Sequence, residues 1–235
     1  MKKIILYCLP YAGGSASVYN KWQKFFDNSI ELRPIELPGR GKKFSTPFYN
    51  TLEEAANNIF KEIKDDINRN RAAFFGHSMG ASLVYEIVQK IINSDKSNPV
   101  HVFFSGQCPP HIMKKSDIYK LDEVSFKNKI LELNGTPKEI YENQELFDIY
   151  IPILRADYKL IETHKFSNFL KWNIDITVFH GKVDGEVNMN EALEWSNYTD
   201  GGFRFVEFEG GHFFINEKAE DIAKEINSSL KLFLG

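Results

Sequence analysis

The pentapeptide Gly76-His77-Ser78-Met79-Gly80 constrains the fold of this chain more than any other stretch of its 235 residues. The apolar run from Ala72 to Phe75 precedes it and predicts a short buried strand. Apolar residues at helical spacing follow it and predict a helix, at Leu83, Val84, Ile87, Val88 and Ile91. Between a strand and a helix, the pattern G-x-S-x-G predicts a sharp turn, in which the glycines avoid collisions and the serine hydroxyl projects from the bend. We therefore interpret Ser78 as a catalytic nucleophile; the alternative is a purely structural turn.

A catalytic serine needs a base to take its proton and a carboxylate to orient that base. The segment from Ile174 to Gly181 predicts a buried strand, and Asp184 follows three residues after its final glycine. Asp175 and Asp200 are alternatives, and Asp184 could also serve only as a turn residue. Asp175 begins the strand, whereas the active sites of open parallel sheets lie beyond the carboxyl ends of strands. We therefore predict Asp184 as the acid.

The general base is predicted after the last strand. Residues Phe203 to Phe208 alternate apolar and polar side chains, the Gly210-Gly211 pair breaks the pattern, and His212 follows. His180 also lies at a predicted strand end, but the histidine comes last in the order serine, acid, base that is typical of α/β-hydrolases. We interpret His180 as structural or pocket-lining. His77 is interpreted as a packed neighbour, because successive residues at a sharp turn point apart.

Two backbone N–H groups are expected to stabilise the oxyanion of a tetrahedral intermediate. Met79, the residue after the nucleophile, supplies one. The other is expected from the loop Leu9 to Gly14, which follows the apolar strand Ile4 to Leu9, with Ala12 or Tyr11 as the donor. A tight turn alone would also explain the glycines of this loop. The loop precedes a predicted helix with apolar residues at Val18, Trp22, Phe25 and Phe26.

Strands and helices alternate along the rest of the chain. Further strands are predicted at Ile30 to Leu37 and Val100 to Phe104, and a helix begins at Thr51, where Glu54 completes a predicted capping box. The stretch from about 107 to 163 contains helical patterns but no strand, which predicts a helical lid over the active-site edge. We therefore predict a single α/β-hydrolase domain over residues 1–235, with a mostly parallel central sheet flanked by helices and a helical lid insertion.

Composition and charge argue against several functions. A net charge of −3 gives no basic footprint for nucleic acid, and no apolar run approaches the roughly 20 residues of a membrane span. The six histidines and two cysteines show no metal-ligand or disulfide spacing, so we predict no metal, no cofactor and two buried structural thiols, Cys8 and Cys108. The short apolar run after Met1-Lys2-Lys3 leads directly into the predicted oxyanion loop. This argues against a cleaved secretion signal and favours a cytoplasmic protein.

Five blocks run from the first predicted strand to the last predicted helix. They are Leu9-Pro10-Tyr11-Ala12-Gly13-Gly14-Ser15-Ala16-Ser17, Leu37-Pro38-Gly39-Arg40-Gly41, Gly76-His77-Ser78-Met79-Gly80, Leu154-Arg155-Ala156-Asp157-Tyr158 and Gly210-Gly211-His212-Phe213-Phe214. Together, and in this order, they resemble the type II thioesterases that accompany nonribosomal peptide synthetases and polyketide synthases. The medium-chain thioesterases of fatty acid synthesis are similar. Tyr11 departs from the histidine or tryptophan of many relatives, and Leu9-Pro10 departs from a proline–phenylalanine pair, but neither departure touches the predicted triad.

The resemblance implies hydrolysis of acyl groups from the phosphopantetheine arm of an acyl or peptidyl carrier protein, chiefly to rescue stalled or misprimed assembly lines. It also implies an acyl-serine intermediate at Ser78, no cofactor, and a lid that walls an acyl pocket. Six aromatic and aliphatic residues are the candidate wall, and they could equally form the ordinary core of the lid. They are Phe126, Leu131, Leu133, Ile151, Leu154 and Tyr158. The protein is expected to be a monomer, and the acyl-chain length stays open.

Partner contacts and rival functions stay open at the level of sequence. Five basic residues in predicted loops could contact an acidic carrier helix or could belong to ordinary solvated loops. They are Arg40, Lys42, Lys43, Lys114 and Lys115. A small-molecule carboxylesterase or lipase of the same fold would turn over oxygen esters better than thioesters. A hydrolase-fold receptor would keep the pocket but lose the triad.

Overall fold

A six-stranded parallel sheet forms the centre of the described part of the chain. The computed structural model describes residues 3–94, 97–114, 116–132, 135, 140, 142–166 and 170–234. The strands are β1 (Ile4–Leu9), β2 (Ile30–Pro34), β3 (Arg71–His77), β4 (His101–Ser105), β5 (Asp175–Gly181) and β6 (Phe203–Phe208). They lie in the order β2-β1-β3-β4-β5-β6, and the described pairings are all parallel. The predicted α/β fold with a mostly parallel sheet is confirmed.

Helices pack on both faces of the sheet. The described helices are α1 (Leu52–Arg69), α2 (Met79–Ile92), α3 (Glu123–Glu132), α4 (Gln144–Thr163), α5 (Met189–Leu193) and α6 (Ala219–Lys231). On β1, alternate residues from Ile5 to Leu9 share an apolar cluster with α1 and α2, and those from Ile4 to Cys8 share one with α6. This alternation follows from the two-residue period of a strand. Because both faces are covered, all six residues of β1 are buried.

The start of α1 matches the predicted capping box only in part. The Thr51 hydroxyl accepts the Glu54 N–H at 3.0 Å, as predicted. Glu54 Oε2, however, accepts the N–H of Asn50 at 2.8 Å rather than that of Thr51. A complete box begins α5 instead, where Asn188 and Glu191 each accept the backbone N–H of the other.

The prediction of a helix after the glycine loop is wrong. Two 3-10 helices occupy this stretch, Ala16–Tyr19 and Gln23–Phe25. Tyr19 and Trp22 are both buried, and their ring centroids lie 5.2 Å apart. Val18, Trp22 and Phe25 are three or four positions apart, a spacing that over so short a segment fits two successive 3-10 helices as well as an α-helix.

Two helices of the segment between β4 and β5, α3 and α4, form their own small apolar core. Phe126 and Ile130 of α3 pack with Leu154 of α4 in a cluster separate from the two that cover the sheet. In the described residues, the segment from 107 to 163 contains α-helix and 3-10 helix but no strand. No described helix is both long enough and apolar enough to cross a membrane.

Candidate active site

Ser78 occupies the turn between β3 and α2 in a conformation that side chains rarely adopt. Its φ of 53° and ψ of −120° make it the one non-glycine residue with positive φ in the described chain. A Cβ on Gly76 would lie 2.2 Å from the Gly80 carbonyl oxygen, and one on Gly80 would lie 2.1 Å from the Leu9 carbonyl oxygen. Both glycines are therefore required by close backbone approach. The strained turn lies at the carboxyl edge of the sheet, beside the point between β1 and β3 where the strand order reverses.

His212 and Asp184 form a hydrogen-bonded pair at the same edge. His212 Nδ1 lies 3.0 Å from Asp184 Oδ2 and 3.2 Å from Oδ1, and the Asp184 side chain is fully buried. Burial alone would raise the pKa of Asp184. The hydrogen bond from His212 and the N–H groups of Glu186 and Val187 outweigh burial and lower the pKa below its ordinary value. A carboxylate therefore faces Nδ1, which leaves Nε2 as the ring atom able to take a proton.

Ser78 and His212 line the same cavity of about 670 Å³. Gly106, after β4, allows the histidine rings to come close, because its φ is +57° and a Cβ there would lie 3.4 Å from His212 Cε1 and 2.6 Å from His77 Cε1. Among the hydrogen bonds of the described residues, none joins the Ser78 hydroxyl to His212. Such bonds are often long in substrate-free enzymes and shorten in the complex. The structure thus brings Ser78, His212 and Asp184 together at one edge of the sheet.

His77 lies next to these residues but is fully buried. Its Nδ1 lies 2.9 Å from the Ser105 hydroxyl, and its ring centroid lies 5.1 Å from that of His212. Burial and the neighbouring His212 ring hold the pKa of His77 well below its ordinary value of 6.5. The ring is therefore neutral, in agreement with its interpretation as a packed neighbour.

The alternative acids and the alternative base lie elsewhere. Asp175 begins β5 at the opposite edge of the sheet, where its Oδ1 accepts the Gly202 N–H at 2.7 Å. Asp200 pairs with Lys171 at the surface, at 3.1 Å. His180 is buried and is not among the described residues that line the cavity. It is therefore structural rather than pocket-lining.

The loop after β1 and the start of α2 bring backbone N–H groups to the same place. Met79 is the first residue of α2, where N–H groups lack partners within the helix and the helix dipole favours negative charge. The close approach of Gly80 to the Leu9 carbonyl holds this helix end against the loop. In the described residues, no internal acceptor takes the N–H of Met79, Ala12 or Tyr11. Ala12 and Tyr11 both stay candidates for the second donor.

The segment between β4 and β5 supplies most of the cavity wall. Two of the predicted wall residues, Leu154 and Tyr158, line it. Leu133 lies outside the described residues. Three other predicted wall residues belong to the lid core or its surface instead, Phe126, Leu131 and Ile151. Several residues that line the cavity were not predicted from the sequence, among them Ile112, Met113, Ile118, Ile130, Tyr150 and Phe166.

The basic residues considered for carrier contact differ in their surroundings. Lys42 is exposed, and Lys43 and Lys114 form surface ion pairs with carboxylates. Lys115 lies outside the described residues. Arg40 is 5% exposed, so it fits neither alternative, a carrier contact or an ordinary solvated loop. It lies in the interior because it forms an ion pair there.

Arg40 and Asp157 form a bidentate ion pair, with distances of 2.6 and 2.7 Å, that sequence analysis missed. Asp157 belongs to the block Leu154 to Tyr158, whose sequence pattern does not indicate an ion pair. The two residues are 117 positions apart, so local patterns do not connect them. The signal that could have indicated the pair is that Arg40 and Asp157, which carry opposite charges, both lie in blocks that resemble the type II thioesterases.

The described residues of this site include neither a metal-binding group nor a reactive thiol. The described residues contain no group of three or more His, Cys, Asp or Glu side chains that could hold a metal ion. Cys8 and Cys108 are free and buried, and Cys108 lies on the cavity wall. Burial raises the pKa of the Cys108 thiol to about 11, so the thiol is protonated and is a poor nucleophile.

Thioesterase sequences are similar to this chain over almost its whole length. A profile of the thioesterase domain matches residues 4–230. The gramicidin S biosynthesis protein GrsT of Aneurinibacillus migulanus is 34% identical over 233 residues, covering 99% of this chain and 91% of that protein. The medium-chain S-acyl fatty acid synthase thioesterase of Rattus norvegicus is 30% identical. That match covers 89% of this chain, less than the match to GrsT, and 81% of the rat protein.

Solved structures give the same result. ClbQ from the colibactin NRPS/PKS pathway superposes with a TM-score of 0.92 at 33% identity, covering 97% of this chain and 97% of that chain. The type II thioesterase BorB from the borrelidin biosynthetic cluster superposes with a TM-score of 0.88 at 28% identity, covering 97% of this chain and 93% of that chain. Both share the arrangement of sheet and helices described above.

Proposed function

The chain belongs to the thioesterase family, and from this we propose that it hydrolyses acyl groups from the phosphopantetheine arm of acyl or peptidyl carrier proteins. Family membership makes it a thioester hydrolase. Its relatives include proteins of gramicidin S, colibactin and borrelidin biosynthesis, which supports a role beside a nonribosomal peptide synthetase or polyketide synthase. In that setting the enzyme would clear stalled or misprimed acyl groups. We propose a cytoplasmic monomer, for which light scattering of the purified protein tests the oligomeric state.

The proposed catalytic roles rest on the His212–Asp184 pair, which opens onto the same cavity as Ser78. In the first step, Ser78 Oγ attacks the thioester carbonyl carbon while its proton moves to His212 Nε2. Asp184 holds Nδ1–H and stabilises the imidazolium that forms. The negative charge on the carbonyl oxygen is stabilised by the N–H groups of Met79 and of Ala12 or Tyr11.

Collapse of this intermediate completes acylation. The carbon–sulfur bond breaks, the thiolate takes the proton from His212, and an acyl-serine remains at Ser78. Water then gives a proton to His212 and attacks the ester, and the same N–H groups stabilise the second oxyanion. The acid leaves, and Ser78 recovers its proton. One difficult hydrolysis thus becomes two easier displacements, and neither step needs a cofactor.

Two other enzymes of this fold are the main alternatives. A medium-chain acyl thioesterase of fatty acid synthesis would use the same residues but prefer an apolar acyl chain of medium length. A general carboxylesterase would hydrolyse oxygen esters and ignore the carrier. The sequence similarity favours the assembly-line enzyme over the fatty acid enzyme, because the relatives of peptide and polyketide pathways cover more of this chain.

Acid release from loaded carrier proteins tests the proposal. Acetyl-, aminoacyl- and octanoyl-carriers are compared with the matching free pantetheine thioesters and with p-nitrophenyl esters. Ser78→Ala is the inactive variant. Ser82→Ala is its matched control, because it removes a buried hydroxyl without a hydrogen-bond partner one turn along the same helix.

We expect hydrolysis of carrier-linked thioesters that Ser78→Ala abolishes and Ser82→Ala preserves. Preference for the octanoyl group would support the fatty acid enzyme instead. Faster turnover of p-nitrophenyl esters, with no gain from the carrier, would support the carboxylesterase. Turnover that persists in Ser78→Ala would reject serine catalysis at this site. Absence of turnover on every substrate would instead support a receptor with the hydrolase fold.

A further inference from the structure

Arg40 and Asp157 form a buried ion pair next to the loop after β1. Their side chains are 6% and 2% exposed, and the two terminal nitrogens of Arg40 donate to the two Asp157 oxygens at 2.6 and 2.7 Å. Arg40 Nη1 also donates to the Gly14 carbonyl oxygen at 3.0 Å, and Nε donates to that of Pro38 at 3.2 Å. Asp157 Oδ2 accepts the Gly13 N–H at 2.7 Å. Because these hydrogen bonds are charge-assisted and form one network, they hold the two side chains and their backbone partners in a single geometry.

The pair binds two successive residues of the loop that carries the candidate oxyanion donors. The Gly13 N–H lies in the same peptide plane as the Ala12 carbonyl, so its bond to Asp157 fixes the orientation of that plane. The Gly14 N–H donates to the Tyr11 carbonyl oxygen at 2.9 Å, which closes the turn. Because the Gly13 and Gly14 N–H groups are both engaged, the described loop leaves the N–H of Ala12 or Tyr11 for a substrate oxygen.

Asp157 lies on α4, so the pair also ties the lid helix to the loop. A Cβ on Gly13 would lie 2.3 Å from the Tyr150 hydroxyl oxygen and 2.9 Å from Leu154 Cδ1, both on α4. The helix therefore packs directly against the glycine. Three segments that are distant in sequence, the loop after β1, the segment that holds Arg40, and α4, meet at one buried charge pair.

We propose that Arg40 and Asp157 are positioning residues for the hydrolysis, an inference that rests on the proposed function. They hold the loop so that the N–H of Ala12 or Tyr11 points, together with that of Met79, at the developing oxyanion. Neither Arg40 nor Asp157 is among the described residues that line the cavity, so neither contacts substrate.

The expected kinetic signature follows from what these donors stabilise. Negative charge develops on the carbonyl oxygen in the transition state, which needs donors close to their final positions, whereas the ground-state carbonyl needs them much less. Loss of the ion pair should therefore lower kcat more than it raises KM. A residue that only stabilised the fold would lower the amount of active enzyme and leave the properties of the remaining enzyme unchanged.

The double substitution Arg40→Met with Asp157→Leu removes the pair without leaving an unpaired buried charge. Apolar replacement of both members of such a pair is often tolerated, whereas removal of one is strongly destabilising. We expect kcat to fall about 10- to 100-fold, since small misplacements of catalytic groups have effects of this order. KM should change by less than about threefold. The matched control is Arg33→Met with Asp66→Leu, which removes a partly exposed pair between β2 and α1, together with the Arg33–Glu31 pair within β2, and should leave kcat unchanged.

Paired oxygen and sulfur substrates separate positioning from folding. An aryl acetate is compared with its thiono analogue, in which sulfur replaces the carbonyl oxygen and accepts hydrogen bonds only weakly. If the pair positions the donors, the double substitution slows hydrolysis of the aryl acetate more than that of the thiono analogue. The ratio of kcat for the aryl acetate to kcat for the thiono analogue therefore falls. A folded double variant with the kcat of the native protein, or one that slows both substrates equally, overturns the inference. Retained turnover in Ser78→Ala would instead reject the proposed function, so the two failures are distinguishable.

Discussion

Each edge of the sheet holds a histidine and an aspartate, in different surroundings. At the carboxyl edge, His212 Nδ1 lies 3.0 Å from Asp184 Oδ2. At the amino edge, His101 and Asp175 occupy paired positions on β4 and β5. There, however, His101 Nε2 lies 2.9 Å from the Thr177 hydroxyl, and Asp175 accepts a backbone N–H. The same two residue types therefore form a pair at one edge and separate structural contacts at the other.

The difference lies in what the chain does beyond the strand ends. At the carboxyl edge, β3 continues into the strained turn of Ser78, and His212 opens onto a cavity. At the amino edge, the buried His101 ring stacks on Phe103, with centroids 4.3 Å apart, and it does not line the cavity. A histidine and an aspartate become a candidate catalytic pair only where a nucleophile, unpaired N–H groups and open space adjoin them.

The largest difference between the edges is expected on removal of the histidines. His212→Ala should lower kcat by about 10⁵- to 10⁶-fold, because Ser78 then lacks the group that takes its proton. His101→Ala should leave kcat per folded molecule within about twofold, whatever its effect on stability. Steady-state hydrolysis of a pantetheine thioester, normalised to folded protein by circular dichroism, measures both. Equal losses in the two variants would remove the distinction between the edges.

The aspartates provide the next contrast. Asp184→Asn should lower kcat by about 10⁴-fold, because the amide oxygen stays with the N–H groups of Glu186 and Val187. The amide nitrogen then faces Nδ1 and stabilises the wrong tautomer of His212. Asp175→Asn keeps an oxygen that can accept the Gly202 N–H and should have little effect on kcat. Hydrolysis rates of the two variants at pH 8 test this. Near-native activity of Asp184→Asn would show that another group orients the base.

A glycine in the loop after β1 tests the donor side of the site. Gly13→Ala should lower kcat by about 10²- to 10³-fold, since misplaced oxyanion donors have effects of this size. The reason is steric and conformational, because Gly13 has a φ of +77° and its Cβ would lie 2.3 Å from the Tyr150 hydroxyl oxygen. Gly185→Ala is the control, since no atom lies within 4 Å of its added Cβ. A mild effect of Gly13→Ala would mean that the loop can move without loss of the donors.

The carboxyl edge and the helical character of the segment between β4 and β5 were largely predictable from the sequence, whereas the side chains of that segment that face the cavity were not. The ends of β3, β5 and β6 follow from their apolar or alternating patterns, and the carboxyl ends of parallel strands lie at one edge, so these patterns already bring Ser78, Asp184 and His212 together. The cavity wall depends on which side of α3 and α4 faces the sheet, and helical periodicity does not determine this. The Arg40–Asp157 pair depends on a contact across 117 positions. The 3-10 helices after β1 were not predicted, because the spacing of the apolar residues there also fits an α-helix.

The smallest expected effect concerns stability and belongs to the amino edge. Burial is the main cause that lowers the pKa of His101 from 6.5 to about 4, although Asp175 raises it. Between these two pH values the unfolded chain binds a proton at His101 and the folded chain does not. Stability is therefore lost as the pH falls from about 6.5 towards 4, by roughly 2 to 3 kcal/mol from this residue.

Urea unfolding at several pH values between 4 and 7 measures this loss. His101→Leu removes the titrating group, so the free energy of unfolding of the variant should depend less steeply on pH than that of the native protein. His77, whose pKa burial also lowers, is present in both proteins and cancels in the comparison. Parallel curves would mean that His101 takes up a proton in the folded state. The His101 ring would then titrate as a solvated histidine does, despite its burial.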